Sequence, residues 1–136
     1  MTNFFLIFAI TNCMMSVMMG AFGAHALRDS LAESSMRAFE VGVNYQMSHG
    51  LALILMVILY NYWYTTKSLL FACGLIAAGL LLFCGSLYTL SLTPLRQLGP
   101  LPVGIITPLG GMCFIAGWAA LLVTVIAAIN TKSATL

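Results

Sequence analysis

Charged residues are scarce in this sequence. Its 136 residues include five Lys or Arg and three Asp or Glu, whereas 62% are hydrophobic and the mean hydropathy is +1.06. Soluble domains carry about 25% charged residues, so this composition excludes an ordinary soluble protein. The net charge of +2 is small and the basic residues are scattered, which excludes a nucleic-acid-binding surface.

The scarcity of charge leaves four long apolar runs. No charged side chain lies in residues 1–27, 41–66, 68–95 and 97–131. A helix of about 20 residues crosses the roughly 30 Å hydrocarbon layer, so each run can cross a membrane once but not twice. The sequence therefore predicts an all-α integral membrane protein, an antiparallel four-helix bundle that forms a single transmembrane domain. The spans are predicted at about residues 3–24, 41–62, 69–90 and 108–129.

Metal-binding and catalytic motifs are also missing. No CxxC pair or Cys/His metal spacing occurs. With two histidines and no acid inside a span, no nucleophile, base and orienting group can be assembled. The sequence therefore predicts no enzyme, no metal site and no cofactor. Packing inside apolar runs is the predicted role of all four cysteines, which are Cys13, Cys73, Cys84 and Cys113.

The amino terminus lacks the basic residues of a signal peptide. Met1, Thr2 and Asn3 precede an apolar run that is longer than the core of a signal peptide. Residues 24–26, Ala-His-Ala, resemble a cleavage site. We nevertheless expect the first span to be retained, because its length suits a membrane helix.

The segments between the spans contain signals for helix starts and for an irregular connection. Ser30 with Glu33 fits a capping box, which predicts a short amphipathic helix that follows the first span and runs into the second. Residues 91–106 contain three prolines and two glycines and predict an irregular connection. Thr107 followed by Pro108 predicts the start of the last helix, because threonine caps free amides and proline suits the first helical position.

Small residues recur at spacings of three and four in the last span, where Gly110, Cys113 and Gly117 share one face. Lipid supplies no hydrophobic force between helices, so small residues that permit close approach indicate packing surfaces. Helix packing is predicted at Ser16, Gly20, Gly23, Gly85, Gly110, Gly111, Cys113 and Gly117.

Antiparallel spans bring four segments into the same leaflet: the ends of spans one and three, and the starts of spans two and four. Most polar residues away from the interfaces lie in these segments. The sequence therefore predicts a polar cluster in one leaflet. Its predicted members are His25, Glu40, Tyr45, Gln46, His49, Ser86, Tyr88 and Thr107.

The two histidines allow several interpretations. A histidine inside a bilayer is costly and suggests a function. A neighbouring hydroxyl or backbone carbonyl would also satisfy the ring without any function. The alternatives are a proton relay from Glu40 through Tyr45 to His49, a zinc or copper site, and haem ligation by His25 and His49.

Five motifs in order carry a family resemblance. They are GAFGAHAL at 20–27, YQMSHGLAL at 45–53, LFCGSLYTL at 82–90, TPLGG at 107–111 and GWAAL at 117–121. Over about residues 15 to 123 the chain resembles the uncharacterised four-span membrane family of bacterial inner membranes whose animal relative is transmembrane protein 256. The resemblance implies a multi-pass protein of the bacterial inner (plasma) membrane. It implies no activity and no catalytic residue.

Two function hypotheses follow. The first is a structural or assembly protein that packs through small-residue faces against a second copy or a larger membrane complex, with membrane lipids around it. The alternative is a binder or transporter that uses the polar cluster for a lipid, a quinone-like molecule or a proton. The direction of the small-residue faces discriminates between them: faces used up inside the chain favour the pocket, and a face turned to lipid favours assembly.

Overall fold

Four long helices build this protein. The computed structural model describes residues 2–62, 66–95, 97–98 and 100–133. The helices run antiparallel, and each is long and apolar enough to cross a membrane. The predicted all-α, four-helix membrane fold is confirmed. The helices are α1 (Thr2–Leu27), α2 (Glu33–Tyr62), α3 (Lys67–Leu92) and α4 (Val103–Ser133).

The predicted amphipathic segment is the exposed beginning of α2, with which it is continuous from Glu33 onwards. The capping box is not formed. The hydroxyl of Ser30 donates to the carbonyl of Ala26 at 3.2 Å, and the Ser30 amide donates to the carbonyl of Leu27. Ser30 therefore completes the end of α1, and it lies three residues before Glu33, the first residue of α2, rather than at the cap position directly before the helix.

The last helix begins earlier than Thr107 and Pro108 predicted. Helix α4 starts at Val103, which is fully buried, and Pro108 lies inside it. Pro108 is the sixth residue of α4, so it cannot donate a hydrogen bond to the carbonyl of Gly104, and its ring crowds that carbonyl. The connection is correspondingly shorter than predicted. It contains a two-residue antiparallel pairing of β1 (Gln97–Leu98) with β2 (Leu101–Pro102).

Helix α3 forms the centre of the bundle. It packs along α2 and α4, and α1 packs mainly on α2. Six α3 side chains are almost completely inaccessible: Leu69, Ala72, Cys73, Ile76, Leu80 and Cys84. The outward faces of α1 and α4 are formed by large apolar residues, such as Phe4, Ile7, Val17, Met112, Ile115 and Leu122. Such faces suit the lipid hydrocarbon, so the membrane assignment agrees with the packing.

Glycines bring α4 close to α3. A Cβ on Gly110 would lie 2.8 Å from the Cα of Phe83, and one on Gly117 would lie 2.8 Å from Cδ1 of Ile76. Backbone cannot move aside, so position 110 requires a residue without a side chain. At position 117 a side chain would force the end of the Ile76 side chain to shift. Gly111 is looser, because its Cβ would lie 3.8 Å from the Phe83 ring. Cys113 is half-buried beside this seam.

A second seam joins α1 to α2. Ser16 is buried and its hydroxyl donates to the carbonyl of Val43 at 2.9 Å. A Cβ on Gly20 would make ordinary contact with Val43, at 3.5 Å, whereas one on Gly23 would overlap the ring of Phe39. The small residues of α1 therefore pack within the chain.

Two π-helical turns interrupt the regular helices, at Gly23–Leu27 in α1 and Leu80–Cys84 in α3. A π-helical turn contains one more residue than a regular turn, so the side chains that follow it point in a different direction from those of an uninterrupted α-helix. In α3 the turn precedes Gly85–Leu92, the segment that carries Ser86 and Tyr88. It therefore sets the direction in which these two polar side chains point.

Candidate functional site

Three buried or half-buried polar side chains from three helices form one hydrogen-bonded chain. The Tyr88 hydroxyl donates to Oε1 of Gln46 at 2.6 Å, and Nε2 of Gln46 donates to Oδ1 of Asn12 at 3.1 Å. Nδ2 of Asn12 then donates to the carbonyl of Phe8 at 2.9 Å. Every bond runs in the same direction, from Tyr88 in α3 through α2 to α1. We call Asn12, Gln46 and Tyr88 the polar trio.

The polar trio lies within the membrane region. Gln46 is 4% exposed, and it follows Glu40, the last charged residue before the apolar run of α2, by six residues, or about 9 Å along the helix axis. Interhelical hydrogen bonds in this environment contribute about 0.6–2 kcal/mol each. Asn12 and Ser16 lie four apart in α1, so both polar side chains face α2.

A groove of about 260 Å³ lies between α1 and α3, and the polar trio forms part of its lining. The remaining lining is mainly apolar and includes Phe8, Met15 and Leu81. Gly85 also lines it, and a Cβ at this position would meet no atom within 4 Å. Gly85 was predicted to pack against a neighbouring helix. The structure places it instead at open space, where its missing side chain widens the groove.

The polar trio keeps unused donors. A carboxamide has two N–H groups, and the described contacts occupy one on Gln46 and one on Asn12. The Tyr88 proton is already donated to Gln46. Each carboxamide oxygen also keeps one lone pair, so the two amides can donate to a ligand oxygen and accept from a ligand hydroxyl group.

Ser86 and Thr107 form a separate pair. Their hydroxyl oxygens lie 2.7 Å apart, and Ser86 also donates to the carbonyl of Phe83 at 2.9 Å. This pair joins α3 to α4 near the start of α4. It explains the hydroxyl at position 107 better than a capping role does, because Thr107 lies in the helix rather than before it.

Tyr45 and His49 lie in an aromatic cluster between α2, α3 and α4. Their ring centroids are 5.4 Å apart, and the imidazole of His49 stacks on the ring of Phe114 at 3.7 Å. Phe83 stacks on Tyr45 at 4.7 Å, and Trp118 meets His49 edge-on at 6.3 Å. Nδ1 of His49 lies 3.0 Å from the carbonyl of Tyr45, so part of the imidazole is satisfied by its own helix.

His25 and Glu40 lie apart from these groups. Both side chains are exposed, and Glu40 lines a groove of about 300 Å³ with Gly20 and Gly23 where α1 and α2 meet the charged segment. The eight residues predicted as one cluster therefore occupy separate places. No described contact links Glu40 to Tyr45 or His49, so the geometry does not support the proton relay.

Sequence reasoning missed four contributors. Asn12 was not among the predicted members of the polar cluster, although an amide in an apolar run, four residues before Ser16, was the available signal. Phe83, Phe114 and Trp118 gave no signal, because aromatic residues in apolar runs also face lipid. Among the residues that the structure describes, no group of three or more His, Cys, Asp or Glu could hold a metal ion.

Comparison with known proteins agrees with this architecture. Residues 19–111 match the family "Protein of unknown function (DUF423)". A UPF0382 membrane protein of Staphylococcus haemolyticus is 43% identical over 120 residues, covering 88% of this chain and 93% of the relative. YwdK, a UPF0382 membrane protein of Bacillus subtilis, is 37% identical and covers 90% and 95%, respectively. YgdD, a UPF0382 inner membrane protein of Escherichia coli, is 36% identical and covers 90% and 88%.

No solved structure matches the chain significantly. The family description carries no enzymatic activity. The family match spans most of the chain, and the three relatives align over 88–90% of it. The chain therefore belongs to the DUF423 family and is a small multi-pass protein of the bacterial inner membrane.

Proposed function

We propose that this protein binds a membrane-soluble amphipathic molecule in the groove between α1 and α3. The observation that carries the proposal is the polar trio, which places three hydrogen-bonded side chains in the lining of an otherwise apolar groove. Ligand sites typically combine apolar walls with a few convergent polar groups. The groove volume of about 260 Å³ suits one segment of a lipid or a quinone-like ring.

The trio keeps hydrogen-bonding capacity for a ligand. Gln46 and Asn12 each retain an N–H and a lone pair on the carboxamide oxygen beyond those bonded within the trio, so a polar ligand group such as an ester or quinone carbonyl can bond to either amide. The lining contains no histidine or carboxylate that could act as a base beside Cys84. We therefore propose binding without a chemical reaction.

The direction of the small-residue faces also supports binding over assembly. Gly23, Gly110 and Gly117 are used in close contacts inside the chain. A Cβ on Gly85, by contrast, would meet open space in the groove. Small residues committed to internal packing are not free to hold a partner, whereas an unfilled glycine beside polar groups leaves room for a ligand.

Native mass spectrometry of the protein extracted gently with its own lipids tests the proposal. We expect a reproducible small-molecule adduct on the wild type, and its loss in Gly85→Leu, which adds a side chain to the groove and leaves the residues of the trio unchanged. Gly74→Leu is the matched control. Gly74 also lies in α3 with no atom within 4 Å of a Cβ, but it does not line the groove.

Both substitutions replace glycine in a helix and should favour helix formation by about 1 kcal/mol, so neither is expected to unfold the protein. An adduct that survives in Gly85→Leu, or a wild-type chain that carries none, would contradict the proposal. Its polar trio would then serve packing alone.

Assembly with a second copy or a larger membrane complex is the second candidate function. The open space around Gly74 favours it, because a glycine on the central helix would let another helix approach closely. The same spectra count the chains in each assembly. A dimer lost in Gly74→Leu but kept in Gly85→Leu would support assembly, and a monomer in all three samples would oppose it.

A further inference from the structure

The geometry around His49 determines which ring nitrogen carries the proton. Nδ1 lies 3.0 Å from the carbonyl oxygen of Tyr45, which can only accept a hydrogen bond, and 3.3 Å from the Ser48 hydroxyl oxygen, which can donate or accept. The shorter contact is favourable only when Nδ1 carries the proton, and this assignment leaves Nε2 without a hydrogen in the neutral imidazole. A backbone carbonyl commonly selects the histidine tautomer in this way.

Nε2 of His49 has no hydrogen-bond partner within the described part of the chain, and the atom is accessible from outside the protein. His49 follows Glu40 by nine residues, or about 14 Å along α2, which places it within the hydrocarbon layer. An acceptor left without a donor in this region costs several kcal/mol.

The surroundings of His49 indicate what kind of donor fits. The imidazole is held by Phe114 on one face, and it is flanked by Tyr45 and Trp118, which are 42% and 46% exposed. Such side chains present flat aromatic surfaces to a ligand at this depth. The hydroxyl groups of glycerol lipids lie at the headgroup level, whereas a ring with a hydroxyl group can enter the hydrocarbon layer.

We infer that His49 accepts a hydrogen bond, through Nε2, from the hydroxyl group of a ring-bearing membrane-soluble molecule of the hydroquinone or phenol class. The ligand ring lies against Tyr45 and Trp118 on the surface between α2 and α4. This site is separate from the groove between α1 and α3, and its unprotonated ring nitrogen requires a hydrogen-bond donor. It does not depend on the proposed function.

Nuclear magnetic resonance of protein labelled with 15N-histidine, in phosphatidylcholine nanodiscs, tests the inference. The probe is decylhydroquinone, and its dimethyl ether is the matched control with the same ring but no hydroxyl group. His49→Phe keeps an aromatic ring and identifies the His49 signals by their loss. We expect a protonated Nδ1, an unprotonated Nε2, and a shift of the Nε2 signal with the hydroquinone but not with the ether.

Two variants test the location of the site. Trp118→Leu should weaken the hydroquinone titration about threefold to tenfold, the effect of losing one aromatic contact. Thr124→Val, which removes a hydroxyl group bonded within α4 itself, should leave the titration unchanged. A protonated Nε2 in the unliganded protein, or equal shifts with the hydroquinone and its ether, would overturn the inference. Equal shifts with dioctanoylglycerol, which carries an aliphatic hydroxyl group, would overturn the assignment of a ring-bearing ligand.

Discussion

Gly110 of α4 lies against the backbone of Phe83 in α3, so closely that a Cβ would come within 2.8 Å of the Phe83 Cα. Backbone cannot move aside as a flexible side chain can. This contact therefore limits how near the two helices approach, and the Ser86–Thr107 hydrogen bond lies close to it.

Gly110→Ala should consequently destabilise the protein. We expect a loss of about 1–3 kcal/mol in the free energy of unfolding, the usual result of overfilling a packed interior. Gly111→Ala is the control, because its Cβ would make only ordinary contact at 3.8 Å. Unfolding in mixed micelles with increasing sodium dodecyl sulfate, followed by circular dichroism, measures both. Equal stability of the two variants would show that the helices can separate without cost.

Tyr88→Phe should cost about 0.6–2 kcal/mol, because it removes the donor bonded to the Gln46 amide oxygen and leaves that buried acceptor unpaired. Tyr45→Phe keeps the stacked ring and removes a phenol with no described hydrogen bond. It should change stability by less than about 0.5 kcal/mol. The same denaturation assay compares them, and a Tyr45→Phe variant that loses more than Tyr88→Phe would refute this assignment.

Ser86 and Thr107 should be energetically coupled. A double-mutant cycle with Ser86→Ala and Thr107→Val should give a coupling of about 0.6 kcal/mol, the average for hydrogen bonds between membrane helices. Thr124→Val is the control, because the Thr124 hydroxyl donates to Ala120 within its own helix. Its coupling to Ser86→Ala should be indistinguishable from zero. Strict additivity in the Ser86–Thr107 cycle would argue that the 2.7 Å contact contributes nothing.

The ion pair between Glu33 and Arg37 should contribute little. Its atoms are 3.5 Å apart, but the side chains are 84% and 69% exposed, so water and salt screen the attraction. We expect Glu33→Gln to change the free energy of unfolding by less than about 0.5 kcal/mol. A larger loss that persists in high salt would mean that this segment is buried against something in the membrane.

The four spans were predictable because the cost of placing charge in hydrocarbon acts on each residue separately. Helix starts were less so. Thr107 and Pro108 have the residue types of a helix start. In the structure α4 begins earlier, at the buried residue Val103, and the Thr107 hydroxyl is hydrogen-bonded to Ser86. Ser30 likewise has the right type for a cap, yet it completes α1 instead. A capping signal in the sequence is therefore not realised when the same hydroxyl group finds a different hydrogen-bond partner in the fold.

The candidate site was predictable only in its parts. Gln46 and Tyr88 were recognisable as polar residues of the membrane region, but their pairing was not, because periodicity specifies which residues share a face of one helix and not which helix lies opposite. The π-helical turn at Leu80–Cys84 adds to this, since it rotates the segment that carries Tyr88. The aromatic partners of His49 come from α3 and α4 and lie far from it in sequence.

By itself, then, the sequence determined that this chain lies in a membrane as four helices. The free energy of placing each helix in the hydrocarbon layer depends on its own charge and apolar length, and both can be read from the sequence. Only the tertiary structure decided that Gly110 packs against the backbone of Phe83 while Gly85 faces an open groove. It also decided that Nε2 of His49 is left without a partner in the described chain. These outcomes depend on how each helix is rotated about its axis, which is set by the packing of all four helices together.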